Sequence, residues 1–280
     1  MPSTLRSVAL QLRAAQRIVR LRGFSVRRAL EPLDDRLVFV IGSPRSGTTF
    51  LAGAIGSLPG FVDLGEVAPL KAAIPGLYAE PDEEAARRIR RILTATRRLA
   101  LVGGRRSVEQ TPETAFVSRA AALAFPEARF VHIIRDGRDV VCSLLERGWL
   151  RAGRAGGDDA GLPYGAEPRF WVEPGRRREF SAASDPRRAA WAWRRYVSAA
   201  RGAPSERLCE LRYESLAADP ETTAGQLAGF LDVPATALAQ ALQTARDTSV
   251  GRWARELPPA ELAEVEEECG ELLGALGYLR

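Results

Sequence analysis

Two kinds of apolar pattern alternate along the chain. Short unbroken runs such as LVFVI (37–41) and FVHII (130–134) lack the in–out alternation of a half-exposed strand and predict strands buried on both faces. Longer stretches with apolar residues three and four apart predict helices. The first of these, LRSVALQLRAAQRIVRLRGFSVRRAL (5–30), sets arginines between its apolar positions, and EPLDD (31–35) breaks it. RLVFVIG then enters a strand at 37–41, and a helix follows at about 48–57. FVDLGE (61–66) reads as a short strand ending at Glu66, and PDEEAARRIRRILTATRRLAL (81–101) as a charged amphipathic helix. RRSVEQT (105–111) predicts a strand and a helix from Pro112, where proline suits a first turn. ARFVHIIRD (128–136) is a buried strand, GRDVVCSLLERG (137–148) and DPRRAAWAWRRYVSAARG (185–202) are helices, and SERLCELRYESL (205–216) carries a late strand. Such alternation implies an α/β fold, a parallel sheet flanked by helices. Only 151–180, rich in Gly, Pro and Arg, interrupts it; an insertion at about 149–185 reads as a mobile loop or a substrate lid.

Composition narrows the class. A chain of 280 residues, 46% hydrophobic, suits one domain over 36–280 with an N-terminal helical extension over 1–35. No apolar run approaches the ~20 residues that cross a bilayer, and the N-terminus has no apolar core of a secretory signal. Cys142, Cys209 and Cys269 are few, odd in number and widely spaced, which fits a reduced cytoplasm without disulfides. Formal net charge is +5, and Lys71 is the only lysine. With the high alanine content, that arginine bias reads as a GC-rich bacterial coding sequence. A basic surface suits a polyanionic ligand, but no helix-turn-helix, zinc or RNA-binding signature points to nucleic acid. The N-terminal helix either packs on the domain or lies on a membrane surface or partner.

The chemistry starts at GSPRSGTT (42–49), where a buried strand meets a helix. Glycines let backbone approach an anion, and a helix start aims free N–H groups at it. Gly42 and Gly47 have the spacing of a nucleotide loop, but Thr48 stands where that loop has lysine. Arg45 supplies the cation, as a planar fork of donors. The strand FVHII ends in Arg135 within RDGRD, where a magnesium-dependent enzyme would end in an acid. These features ask for a nucleotide anionic at two ends and bound without metal.

In these motifs the chain resembles PAPS-dependent sulfotransferases, a bacterial branch with motifs similar to the protein-tyrosine enzymes. GSPRSGTTFL resembles the 5′-phosphosulfate loop, and FVHIIRDGRDVVCSLLERG the 3′-phosphate segment. LRYESLAADP and SVGRWARELPP resemble two later motifs in the family's order. The resemblance spans about 36–280 and implies a P-loop nucleotide-kinase-like fold with PAPS (3′-phosphoadenylyl sulfate) as donor, PAP as product and no metal. It implies donor contacts at Arg45, Ser46, Gly47, Thr48, Thr49, Arg135, Ser143, Arg147, Tyr213, Ser249 and Arg252. The implied reaction moves a sulfuryl group to a hydroxyl of a small-molecule, lipid or glycan acceptor, with Arg45 catalytic as well as binding.

For the base, His132 sits in a buried strand among apolar neighbours and reads as structural. Glu66 stands where protein-tyrosine and several bacterial relatives place a basic glutamate, and partial burial would raise its basicity. Relatives carry lysine before Thr-Pro in the segment matching VEQTPET (108–114); here that position is Gln110, so either Arg45 suffices or Arg105 or Arg106 substitutes. Glu109 and Glu113 read as structural. Trp149, Tyr164, Phe170 and Trp171 either line an apolar acceptor pocket or form the insertion's own core. Two alternatives stand beside this reading: a P-loop kinase using ATP and magnesium, and an inactive PAP- or polyanion-binding protein.

Overall fold

Among the described residues, five parallel strands form one sheet: the first strand is central, with the third and then the second on one side and the fourth and then the fifth on the other. The computed structural model describes residues 2–22, 31–150, 171–245 and 248–279. In chain order, the first half runs α1 (Pro2–Arg22), β1 (Val38–Ile41), α2 (Thr48–Ser57), β2 (Phe61–Gly65), α3 (Ala68–Tyr78), α4 (Asp82–Leu99), β3 (Arg106–Glu109) and α5 (Ser118–Ala124). The second half runs β4 (Arg129–Ile134), α6 (Gly137–Arg147), α7 (Arg177–Ala182), α8 (Asp185–Ala200), β5 (Leu208–Arg212), α9 (Tyr213–Ala218), α10 (Pro220–Leu231), α11 (Ala235–Leu242), α12 (Trp253–Glu256) and α13 (Pro259–Ala275).

Successive strand residues face opposite sides, so one run of apolar residues feeds two cores. Phe39 and Ile41 of β1 join Phe130, Val62 and Leu64 beneath α1, α3, α4 and α5. Val38 and Val40 join Val131, Ile133 and Leu211 beneath α2, α10 and α11. Phe39 pairs with Phe130 in the register of β1 and β4, and their rings stack with centroids 5.1 Å apart. β1 is flanked by β3 and β4, and the chain changes direction across the sheet there. In parallel α/β sheets the ligand crevice opens at that switch, beyond the strands' C-terminal ends.

The elements depart from sequence expectation in a few places. α3 lies in a stretch that predicted no element, because its apolar run has little amphipathic pattern and holds Pro75 in its interior. The segment at Pro112 is a 3-10 turn (Pro112–Val117) ahead of α5. The late strand stops at Arg212, so Tyr213 opens a helix. Residues 23–30 and 151–170, with Tyr164 and Phe170, lie outside the described residues. The rest of the expected insertion, from residue 171, includes the short α7, and Trp171 packs edge-on against Tyr78 and Phe116.

One contact sets the end of β4. The Trp193 indole on α8 is fully buried and donates to the carbonyl of Arg135 at 3.0 Å. A Cβ on Gly137 would fall 2.7 Å from that indole. α6 therefore starts on glycine against the ring, capped by Asp136, whose carboxylate accepts from the Arg138 N–H at 2.9 Å.

Gly137→Ala should destabilise the protein by about 1–3 kcal/mol despite alanine's better helix propensity, because a rigid ring must move. A fall in the urea midpoint reads this out; an unchanged midpoint would show that ring and backbone part freely.

The end of β3 yields a second expectation. Glu109 is fully buried and accepts from the Thr111 N–H at 2.8 Å and the Thr114 hydroxyl at 3.1 Å. Burial pushes its carboxyl up to about 8 from an ordinary 4.5. Between those values the native state keeps a proton that the unfolded chain releases, so stability falls as pH rises and levels off above about 8. Glu109→Gln should melt like wild type at pH 5 and about 3 °C or more higher at pH 9. Equal melting at both pH values would contradict a buried neutral acid.

Candidate active site

The loop after β1 is built by positive φ angles. Gly42, Arg45 and Gly47 have φ of +150°, +73° and +99°. A Cβ on Gly42 would sit 2.5 Å from the Ile133 carbonyl oxygen, and one on Gly47 2.8 Å from the Tyr213 ring. Both glycines thus allow the loop to lie directly on β4 and on Tyr213. Arg45 adopts a conformation that non-glycine residues enter at a cost. Its surroundings hold it there: Nε donates to Ser143 Oγ at 2.9 Å, and its guanidinium lies 5.4 Å over the Trp149 ring. α2 begins at Thr48 with no side-chain cap and no acidic residue in its first turn, which leaves its first N–H groups for an anion.

Arg135 closes the other side. Its Nη1 donates to the Arg45 carbonyl at 3.1 Å, Nη2 donates to the Ser249 carbonyl, and the guanidinium lies 5.0 Å over Tyr213. Tyr213 Oη in turn stands 3.4 Å from Ser249 Oγ. The segment around Ser249 is fastened by Asp139 of α6, which accepts from the N–H groups of Gly251 and Trp253 at 2.8 and 3.0 Å. Burial raises the Asp139 carboxyl above its ordinary value, and those two N–H donors work against the shift. Arg252 pairs with Glu256 at 2.5 Å and Glu146 at 3.1 Å, which hold its charge still more firmly.

These parts enclose a cleft of about 400 Å3, within the ~300–1,000 Å3 usual for small-molecule sites. Ten of the eleven residues expected to contact the donor line it: Arg45, Gly47, Thr48, Thr49, Arg135, Ser143, Arg147, Tyr213, Ser249 and Arg252. Ser46 does not; it is fully buried in the loop behind. Two buried polar atoms here, Ser46 Oγ and Arg135 Nε, have no partner among the described residues. Orphaned donors beside a four-arginine cleft fit an anionic nucleotide. Phe50 and Glu146 also line the cleft. Both lie within the segments GSPRSGTTFL and FVHIIRDGRDVVCSLLERG, but neither was among the expected donor contacts.

Glu66 stands outside that lining. The two regions meet through neutral groups: Thr49 Oγ1 donates to Gln110 Oε1 at 3.2 Å, and the Gln110 N–H donates to the Gly65 carbonyl at 3.3 Å. Glu66 is buried, and its Oε2 lies 2.7 Å from Lys71 Nζ, itself 3.7 Å from Glu113. Tyr196 donates from its hydroxyl to Glu113 at 2.9 Å, and burial raises that phenol far above its ordinary value. Lys71 compensates carboxylates that would be costly to bury alone. Sequence placed Glu66 without a partner; the structure adds an ammonium that pairs with it. Lys71 was visible as the sole lysine, but only α3 turns it back onto Glu66.

The charge that Arg105 or Arg106 was expected to supply in place of lysine at Gln110 is ruled out by position. Arg106 opens β3, at the opposite end of the strand from Gln110. It donates to the carbonyls of Arg36 and Leu231 at 3.1 and 2.6 Å and stacks on Phe61, so it anchors the sheet and cannot replace a charge at Gln110. Arg105 precedes it at that same end. His132 is fully buried on β4 with Nδ1 2.9 Å from Glu210 Oε1, and burial lowers its basicity. Asp136 caps α6 and pairs with Arg138 at 2.8 Å.

Comparison with known proteins places this geometry. Sequence against sequence, the chain matches no curated protein. Among solved structures it is similar to the sulfotransferase domain from the curacin biosynthetic pathway, with a TM-score of 0.54 at 15% identity over 86% of this chain and 97% of that one. It is also similar to sulfotransferase STF9 from Mycobacterium avium, with a TM-score of 0.52 at 14% identity over 96% of this chain and 84% of that one. At such identity the likeness speaks for the fold. A model of the sulfotransferase family matches residues 38–237, from the first strand through the start of α11, and the chain belongs to that family.

Proposed function

We propose that this sulfotransferase holds PAPS in the cleft between the loop after β1 and α6, and moves its sulfuryl group to an acceptor hydroxyl with Glu66 as base. The observation that carries the reading is the convergence of ten motif residues, from four separate segments, on that one cleft. PAPS supplies the activated sulfuryl group and departs as PAP. Arg45, with the N–H and hydroxyl donors of Gly47, Thr48 and Thr49, binds the 5′ end and stabilises charge on the leaving oxygen, while Ser46, buried behind the loop, takes no part. Arg135, Ser143 and Arg147 take the 3′-phosphate, Tyr213 lies against the nucleoside, and Ser249 and Arg252 complete the phosphate contacts. Arginines carry the charge in this scheme, and no metal enters it.

Glu66 takes the proton of the acceptor hydroxyl, and Lys71 orients its carboxylate. The acceptor is a small molecule, lipid or glycan. Gln110 stands where relatives carry lysine and makes only a neutral hydrogen bond with Thr49, so Arg45 is the cation nearest the leaving group. Three free and buried thiols suit a reducing compartment, and we place the reaction in the cytoplasm.

Calorimetric titration of PAP without magnesium tests the donor site. Wild type should bind, and Arg135→Ala should lose ~100-fold or more, since each hydrogen bond from a charged group contributes roughly 1.5–3 kcal/mol. Absence of wild-type binding would sink the sulfotransferase reading of the cleft.

The base is tested on whichever acceptor turns over fastest in a panel of phenols, alcohols and sugars. Glu66→Gln should keep PAP affinity and lose ~100-fold or more in kcat. Lys71→Met removes the group that orients this carboxylate and so should lower kcat while PAP affinity stays at the wild-type value. Full activity in Glu66→Gln would rule that residue out as base.

A further inference from the structure

Helix α1 carries five arginines in its 21 residues and no acidic residue. The whole chain has 40 basic and 35 acidic residues, a net +5. Taking the helix away leaves 259 residues with 35 of each sign. The chain's entire net charge is therefore that of one helix, so a diffuse compositional bias does not account for it.

The exposed face of this helix is also unusual in what it leaves apolar. Leu10, Ala14, Ala15 and Ile18 are buried towards the domain, with Ala15 and Ile18 in the core beneath α3 and α4. On the far side Val8 and Leu12 are 52% and 51% exposed. They are two of the six large hydrophobics exposed among the described residues, and they sit one turn apart. At 100° per residue, Val8, Leu12 and the partly exposed Val19 span about 40° of the helix. The exposed Arg13 and Arg20 follow about 80–100° further round. An apolar strip with Arg13 and Arg20 beyond the exposed Ala9 and Gln16 suits the boundary of an anionic bilayer: the apolar side chains enter the acyl edge while guanidinium groups pair with phosphates. A nucleic acid would use the arginines and leave the apolar strip in water.

We propose that the outward face of α1 docks this protein on an anionic lipid surface. The same helix leads to the candidate base. A Cβ on Gly65 would fall 2.5 Å from Arg17 Nη2, so Arg17 lies against the residue just before Glu66. Docking would bring that end of the sheet near the lipid, and, resting on the sulfotransferase reading, points to an acceptor carried in the membrane.

Flotation of the full chain with vesicles tests the docking without any turnover. The protein should float with phosphatidylcholine–phosphatidylglycerol vesicles, not with phosphatidylcholine alone, and release as salt rises. Val8→Ser with Leu12→Ser, and separately Arg13→Glu with Arg20→Glu, should each weaken binding ~10-fold or more. Both variants should keep wild-type melting and PAP titration, which separates lost docking from a lost fold or donor site. Binding to neither vesicle, or equally to both, would overturn the proposal. So would lipid binding that survives the serine pair, or that a DNA duplex competes away, since either would mark a general polyanion surface.

Discussion

Everything at the mouth of the sheet is registered on Arg135. Its carbonyl is fixed by Trp193, and its guanidinium reaches the carbonyls of Arg45 and Ser249 and covers the Tyr213 ring. The loop after β1, the end of β4, the start of α9 and the segment before α12 therefore share one side chain. A planar fork with five donors can bridge backbone on two sides and still leave Nε without a partner among the described residues. An ammonium offers three donors at one point and could not span that width.

Charge is divided across the site. Arginines and hydroxyls line the cleft, while Glu66, Glu113 and Lys71 gather beside it with Tyr196. Between them stands the Thr49–Gln110 hydrogen bond, which has no net charge. With glutamine there, Lys71 supplies the counter-charge from α3, behind Glu66.

Much of this was legible in one dimension. The strands are continuous apolar runs, which only a doubly covered sheet explains, and glycine at 42 and 47 marks backbone that no side chain could replace. Arg135 and Ser143 share a strand end and the following helix, so sequence spacing sets their separation. Lys71, Glu113 and Tyr196 were not legible as a group, because three elements distant in sequence bring them together. α3 escaped notice because Pro75 and a featureless apolar run hide its period. The pairing of Arg106 with carbonyls at the far end of its strand was equally invisible, and it removes a charge that spacing alone had offered to the site.

The cleft draws its lining from Arg45 through Arg252 of a 280-residue chain. On the ribosome, the first strand and its loop are made early, yet the pocket lacks a wall until Arg252 has followed. A ligand stabilises only the state that binds it. If the cleft binds nucleotide as proposed, nucleotide in the surrounding medium guards finished molecules against unfolding but gives nothing to chains still being synthesised. Those must reach their sheet on apolar burial alone.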